Sequence, residues 1–144
     1  MKKKCLSLLL TGAMVLSAIS FGMVASAEEA TIKVGMVTDV GGVNDGSFNQ
    51  SSWEGLQRAS EELGIEVDYL ESSTDADYAT NIETFIDGEY DLIICVGYML
   101  ADATRAAAED YPEQKFAIID DATCSDLENV TCLMFEQAQA SYLV

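Results

Sequence analysis

Five short runs of apolar and β-branched residues recur along the chain, and the stretches between them have apolar positions that repeat every three or four residues. A short apolar run bounded by turn residues predicts a β-strand, whereas the longer period predicts an amphipathic helix. The predicted strands cover residues 32–37, 66–70, 92–96, 116–119 and 130–134.

The longest helical pattern covers residues 47–63 and stops at Gly64, because glycine readily adopts the left-handed conformation that closes a helix. Four charged side chains are expected to face solvent: Glu54, Arg58, Glu61 and Glu62. One stripe is expected to face the core, and its members are Phe48, Ser52, Leu56, Ala59 and Leu63.

Three further helices are predicted at residues 78–86, 100–110 and 137–144, the first of them capped by Asp75 or Asp77. Strands and helices that alternate along most of the chain predict an α/β fold with a doubly wound parallel sheet, because each helix carries the chain back to the same end of the sheet. Ligands of such sheets bind beyond the carboxyl ends of the strands, where the strand order reverses. The loops to search are therefore 38–49, 71–75, 97–98 and 120–121.

The amino terminus has the pattern of a secretory signal peptide. Three lysines precede an apolar run at residues 6–24, and Ala25-Ser26-Ala27 precedes two glutamates. A membrane anchor is the alternative, but Gly12 and Ser17 interrupt the run and small residues occupy the cleavage positions. We expect residues 1–27 to be removed, which predicts an exported protein with residues 28–144 as its mature part.

Residues 28–144 are enough for one domain with a modest core. The chain stops inside its last helical pattern without a stop signal, so we expect this domain to be incomplete.

The chain is strongly acidic, with a formal net charge of −18, and the signal peptide holds three of its seven basic residues. Such a surface repels nucleic acid and anionic lipid, and it disfavours anionic ligands. A simpler interpretation is that the acidity keeps an exported protein soluble.

The cysteines outside the signal peptide are Cys95, Cys124 and Cys132, and none has CxxC spacing. The sequence also contains no histidine, so neither a zinc site nor another metal site is predicted. Cys124 and Cys132 can close a small disulfide in an oxidising compartment, or all three can be packed thiols.

The loop after the first predicted strand is rich in polar residues and glycines. Asp45 or Ser47 can cap the following helix, Phe48 can stack on a planar ring, and Asp39 and Asn49 can contact polar ring atoms. Alternatively, the loop is a structural turn in which Asp and Asn serve as caps and Phe48 belongs to the core. The loop contains neither the G-x-G-x-x-G pattern nor the lysine-containing Walker pattern of phosphate-binding loops.

The sequence resembles the basic membrane protein family of ABC-transporter substrate-binding proteins, which includes purine nucleoside receptors. The main resemblance is Val-Thr-Asp-Val-Gly-Gly at 37–42, followed by Asn-Asp-Gly-Ser-Phe-Asn-Gln-Ser at 44–51. Further matches lie at 53–55, 91–98, 111–112, 115–120, 135–138 and 141–143.

The resemblance implies that this chain is the N-terminal lobe of a two-lobed type I periplasmic-binding fold, monomeric when complete, that delivers a nucleoside to an ABC permease and its ATPase. It implies ligand contacts from Asp39, Phe48, Asn49 and Asp120, with Phe48 stacking on the base, and no cofactor. Asp121 competes with Asp120 for its role, and either can instead be a cap or a solvated loop residue.

Two features differ from the family pattern. Family members are commonly lipoproteins with a lipobox cysteine, but here Ala13 follows Gly12, which argues against a lipid anchor. The second lobe, which would complete the site, is not in the sequence.

Other functions remain as alternatives. A sugar ring can also stack on Phe48. A secreted enzyme using Asp120 and Asp121 has little support, because there is neither a histidine nor a G-x-S-x-G motif. A response-regulator receiver is cytoplasmic and therefore conflicts with the signal peptide. The third strand of a receiver ends in an acceptor aspartate, whereas Gly97 follows the third predicted strand of this chain. A secreted surface antigen is the last alternative.

Overall fold

A computed structural model describes residues 31–142, so the predicted signal peptide and the last two residues lie outside the described part. The strands are β1 (Lys33–Val37), β2 (Glu66–Leu70), β3 (Leu92–Val96), β4 (Lys115–Ile119) and β5 (Val130–Leu133). The helices are α1 (Phe48–Leu63), α2 (Asp77–Asp87), α3 (Ala101–Asp110) and α4 (Gln137–Tyr142), and a 3₁₀ turn, Tyr98–Leu100, precedes α3. Every predicted element is present, with ends within one residue of the predicted bounds or at the edge of the described range.

The five strands form one parallel sheet in the order β2-β1-β3-β4-β5. The doubly wound α/β prediction is therefore confirmed. The connections from β1 and from β3 lead to opposite sides of the sheet, which places the switch point between these two neighbouring strands.

Apolar side chains cover both faces of the sheet. Helix α1 packs on one face through Leu56 and Trp53 against Met36 and Val96. Helices α2 and α3 pack on the other face, where the buried cluster includes Ile82, Phe85, Leu100, Ile93 and Phe116. The three central strands, β1, β3 and β4, are covered on both faces and are therefore apolar runs with little alternation, as buried parallel strands usually are.

The predicted buried stripe of α1 is wrong at both ends. Leu63 is 72% exposed and Phe48 is 45% exposed, whereas Asn49 is buried together with Leu56. The burial of Asn49 turns the helix away from the stripe that apolar residues alone would bury. A side-chain amide can occupy a buried position only because it has a hydrogen-bond partner there.

The helix ends follow the sequence signals in part. Gly64 closes α1 in the left-handed conformation (φ 69°), and Gly88 follows α2 as predicted. Neither candidate cap of α2 receives a hydrogen bond from the helix amides: Asp77 accepts from Ser73 and Thr74, in the preceding turn.

Cys95, Cys124 and Cys132 are free thiols that lie within or against the α2 and α3 side of the core. Burial raises the pKa of the Cys95 thiol to about 12. Of the two possibilities left by the sequence, the structure has packed thiols.

The sheet has two different edges. Strand β2 forms one edge and exposes Glu66 and Asp68. Strand β5 forms the other and is followed by exposed Met134 and Phe135. No helix among the described residues has the length and hydrophobicity of a membrane span.

Candidate functional site

The candidate site lies at the carboxyl edge of the sheet, where the loops after β1 and β3 are neighbours. Gly97 follows β3 with φ 94° and ψ 155°, a conformation open essentially to glycine alone. A Cβ atom at this position would lie 3.7 Å from the Oδ2 atom of Asp39. The glycine therefore brings the two loops together and leaves space beside the Asp39 carboxylate.

Asp39 is half-buried and held from two sides. Its Oδ1 atom accepts hydrogen bonds from the Gly41 amide at 2.8 Å and from the Asn49 side chain at 2.6 Å. Its Oδ2 atom accepts none from the described residues. One carboxylate oxygen therefore fixes the side chain, and the other remains able to accept a ligand hydrogen.

Asn49 is 1% exposed, and its Oδ1 atom is buried without a hydrogen-bond partner in residues 31–142. The amide orientation is set by chemistry: a flipped amide would place Oδ1 against the Asp39 carboxylate, and two acceptors repel each other. This oxygen has almost no accessible surface, so the role that the geometry gives Asn49 is to orient the Asp39 carboxylate, and the ligand contact predicted for Asn49 is not open in this arrangement.

The Asp45 carboxylate caps α1 and so fixes the start of the helix. It accepts hydrogen bonds from the backbone amides of Ser47, Gln50 and Asn49 at 2.7, 3.1 and 3.2 Å. Partial desolvation opposes ionisation of Asp45, but these amides outweigh it and lower the pKa of the carboxyl below its usual value. Of the two predicted caps, the structure uses Asp45; Ser47 occupies the N-cap position without a side-chain bond.

Phe48 lies at the first turn of α1 and exposes nearly half of its surface. One ring face is stacked on Phe135, with centroids 5.5 Å apart and an angle of 29° between the planes. The two rings border a groove of about 700 Å³ that also contacts Leu133 and Arg58. Phe48 is therefore an exposed aromatic supported by a second ring, and its assignment to the core is wrong.

Asp120 and Asp121 have different surroundings. Asp121 accepts hydrogen bonds from the amide and the hydroxyl of Thr123, so it serves to cap its own loop. Asp120 has φ 62° and, within residues 31–142, accepts one side-chain hydrogen bond, from Gln137 at 3.2 Å. A positive φ is uncommon for a residue other than glycine and is often found at binding sites. Asp120 is thus the more available carboxylate.

The structure joins Asp39 to Asn49 directly, and Phe48 precedes Asn49 on the same helix. Asp120 lies at the same edge of the sheet but forms no hydrogen bond to the other three residues. Sequence reasoning did not assign Phe135 and Gln137 to the site, although they contact Phe48 and Asp120; the family resemblance at 135–138 was the signal that could have found them. Within the described range there is no group of three or more carboxylate or thiol side chains placed to hold a metal ion.

A parallel α/β sheet with polar loops at its switch point is an architecture that many classes of ligand-binding domain share. The family described as ABC transporter substrate-binding protein PnrA-like (Bmp) matches residues 32–144. The chain belongs to this family, as the resemblance in its sequence predicted.

Three known proteins illustrate the relationship. The CD4+ T-cell-stimulating antigen of Listeria monocytogenes is 46% identical over 116 residues, which are 77% of this chain and 32% of that protein. The ABC transporter nucleoside-binding protein BmpA of Lactococcus lactis is 40% identical over 116 residues, and the match covers 78% of this chain and 33% of that protein. The crystal structure of an ABC transporter solute-binding protein from Aeropyrum pernix superposes with a TM-score of 0.71 at 37% identity, covering 78% of this chain and 30% of that one.

The chain spans about a third of the length of these curated relatives. What the comparisons establish is the family and the fold of this part.

Proposed function

We propose that the complete protein is the extracytoplasmic solute-binding component of an ABC importer and that it binds a purine nucleoside between two lobes. The observation that carries the proposal is the Asp39 carboxylate, which Asn49 orients so that the Oδ2 atom remains an acceptor, together with the exposed Phe48 ring that precedes Asn49 on the same helix. Purine bases present N–H groups at their edge and a flat face for stacking. The name of the Lactococcus lactis relative, a nucleoside-binding protein, supports the same class of ligand.

In this proposal, each of the four residues has one role. Phe48 stacks on one face of the base, Asp39 accepts a hydrogen bond from the edge of the base or from the sugar, and Asn49 holds the Asp39 carboxylate in place. Asp120 gives up its 3.2 Å hydrogen bond from Gln137 and accepts one from the ligand in its place.

These contacts are too few for tight binding by this lobe alone. One aromatic stack contributes about 1–3 kcal/mol and each hydrogen bond about 1 kcal/mol, which together correspond to an affinity of about millimolar. A second lobe that closes over the opposite face of the base would supply the rest. We therefore expect high affinity only in the complete polypeptide.

The proposed partners are an ABC permease and its ATPase, and the proposed location is outside the cytoplasm. Ala13 follows Gly12 where a lipobox has cysteine, which disfavours a lipid anchor. We expect the complete protein to be a monomer. The net charge of −18 disfavours nucleic acid as a ligand.

The test is a calorimetric titration of the complete polypeptide with guanosine, adenosine and ribose. Phe48→Ala should weaken nucleoside binding by about five- to 150-fold, since about 1–3 kcal/mol of stacking is lost, and Phe48→Trp should retain it. The matched control is Tyr111→Ala, an aromatic of similar exposure at the far end of α3. Unchanged affinity in Phe48→Ala would remove the stacking role.

The same titration distinguishes a nucleoside-binding protein from the second candidate function, a sugar-binding protein. An exposed aromatic ring also suits the apolar face of a sugar, so Phe48 favours both ligands. Binding of ribose with the affinity of the nucleosides would assign recognition to the sugar, whereas binding of nucleosides alone assigns it to the base.

A further inference from the structure

A carboxylate outside the four candidate ligand contacts holds the glycine-rich loop. Glu71 directly follows β2, and its Oε1 atom accepts a hydrogen bond from the Val43 amide at 2.7 Å across 28 residues of sequence. The Val43 side chain is buried in the core cluster that contains Leu56 and Val96. Val43 therefore fixes the middle of the loop in two ways: its side chain is packed in the core, and its backbone amide is bonded to Glu71.

The fit between Glu71 and the loop depends on a glycine. Gly42 has φ 69°, and a Cβ atom at this position would lie 3.0 Å from the Oε1 atom of Glu71. Such an approach is tighter than ordinary van der Waals contact, so a larger residue would push the carboxylate away from the Val43 amide. Gly42 thus supplies both the left-handed turn and the space for Glu71.

Glu71 is itself held in place. Its backbone carbonyl accepts a hydrogen bond from the Asn81 side chain at 3.2 Å, and the same Asn81 nitrogen lies 3.0 Å from the Ser72 hydroxyl. Asn81 belongs to α2, which packs on the opposite face of the sheet from α1. A chain of hydrogen bonds therefore runs from α2 through Glu71 to the loop that begins at Asp39.

We propose that Glu71 is a positioning residue for ligand binding: it holds the loop between β1 and α1 so that Asp39 and Asn49 meet, and it does not contact the ligand. The proposal rests on the proposed function for its effect on affinity. Its structural basis is separate, because the bond between Glu71 and Val43 involves residues of this chain alone. Loss of the bond frees the loop, and the ligand must then order the loop again when it binds.

The experiment compares Glu71→Ala, Glu71→Gln and Glu83→Ala in the complete polypeptide. Glutamine keeps an acceptor oxygen at the same place, whereas alanine removes it. Glu83 is an exposed glutamate on α2 and serves as the matched control. The two measurements are amide hydrogen exchange at Val43 without ligand and the affinity for guanosine.

We expect faster exchange at Val43 and about tenfold weaker guanosine binding in Glu71→Ala, with both properties close to wild type in Glu71→Gln and Glu83→Ala. Unchanged exchange at Val43 in Glu71→Ala would overturn the role of Glu71 in holding the loop. Faster exchange with unchanged affinity would overturn its role in binding. Failure of the wild-type protein to bind any nucleoside would instead overturn the proposed function and, with it, the effect on affinity.

Discussion

The side-chain nitrogen of Asn49 lies 2.6 Å from the Oδ1 atom of Asp39, so an amide on the first turn of α1 fixes the carboxylate that follows β1. A hydrogen bond to a charged acceptor is stronger than one between neutral groups. The bond also leaves the second Asp39 oxygen as an acceptor. The two residues therefore form one unit, and changes to them should not have independent effects.

We predict strong coupling between Asp39→Ala and Asn49→Ala in nucleoside binding. The double variant should lose less binding free energy than the two single variants together, by about 1 kcal/mol or more. Calorimetry on the wild type, both single variants and the double variant measures the difference. Asn49→Ala combined with Asp110→Ala, at the far end of α3, should be additive, and additivity in the first pair would contradict the shared role.

Phe135 should contribute to binding through Phe48. The two rings are 5.5 Å apart, and a stacked aromatic pair contributes about 0.5–1.5 kcal/mol beyond burial. Phe135→Leu should therefore weaken nucleoside binding by about two- to tenfold, less than Phe48→Ala does. A titration decides the matter, with Tyr111→Leu as control. Tighter binding would show that the base takes the place of the Phe135 ring.

The cap formed by Asp45 predicts a pH-dependent contribution to stability. Because the folded-state pKa of this carboxyl is lower than its usual value, the contribution is fully present above about pH 4 and is lost as the pH falls through the lowered pKa. Asp45→Ala should cost about 1 kcal/mol at pH 7, as loss of a helix cap usually does, and less at pH 3.

Urea unfolding of the wild type and Asp45→Ala at both pH values provides the measurement. Asp110→Ala is the control for the general effect of removing one negative charge. A difference between wild type and Asp45→Ala that stays the same at pH 3 would show that the charge of Asp45 does not contribute.

Gly97 and Gly55 should respond to alanine in opposite directions. Gly97→Ala places a side chain in a conformation that residues other than glycine rarely adopt, with a cost of about 1–3 kcal/mol. Gly55 lies inside α1, and a Cβ atom there would meet no other part of the described chain within 4 Å. Gly55→Ala should therefore stabilise the protein by about 0.5–1 kcal/mol. The midpoints of urea unfolding measure both effects, and destabilisation by both would show that the space beside Gly55 is needed.

The strands could be predicted from the sequence almost to the residue, since each buried parallel strand is a compact apolar run with turn residues on either side. The two ends of the buried face of α1 could not be predicted in this way. Its pattern was interpreted from apolar residues alone, and the residue that the fold buries is Asn49. The partner that makes this burial favourable, Asp39, lies ten positions earlier, so no helical period reveals it.

The candidate site was predictable to a similar degree. The loop after β1 was recognised because three glycines and several polar residues follow an apolar strand. The contacts of Glu71 and Phe135 were not, since each depends on which strands are neighbours and on the path of a loop between them. Sequence patterns within one element contain no information on such pairs.

The exposed carboxylates of β2 have a consequence for self-association. An edge strand has backbone groups that another chain can pair with, and long uncharged edges lead to aggregation. A second copy that added its own β2 to this edge would bring the Glu66 and Asp68 side chains of both copies close together. The repulsion between these carboxylates disfavours pairing of β2 with the β2 strand of another copy, and so it disfavours aggregation through this edge.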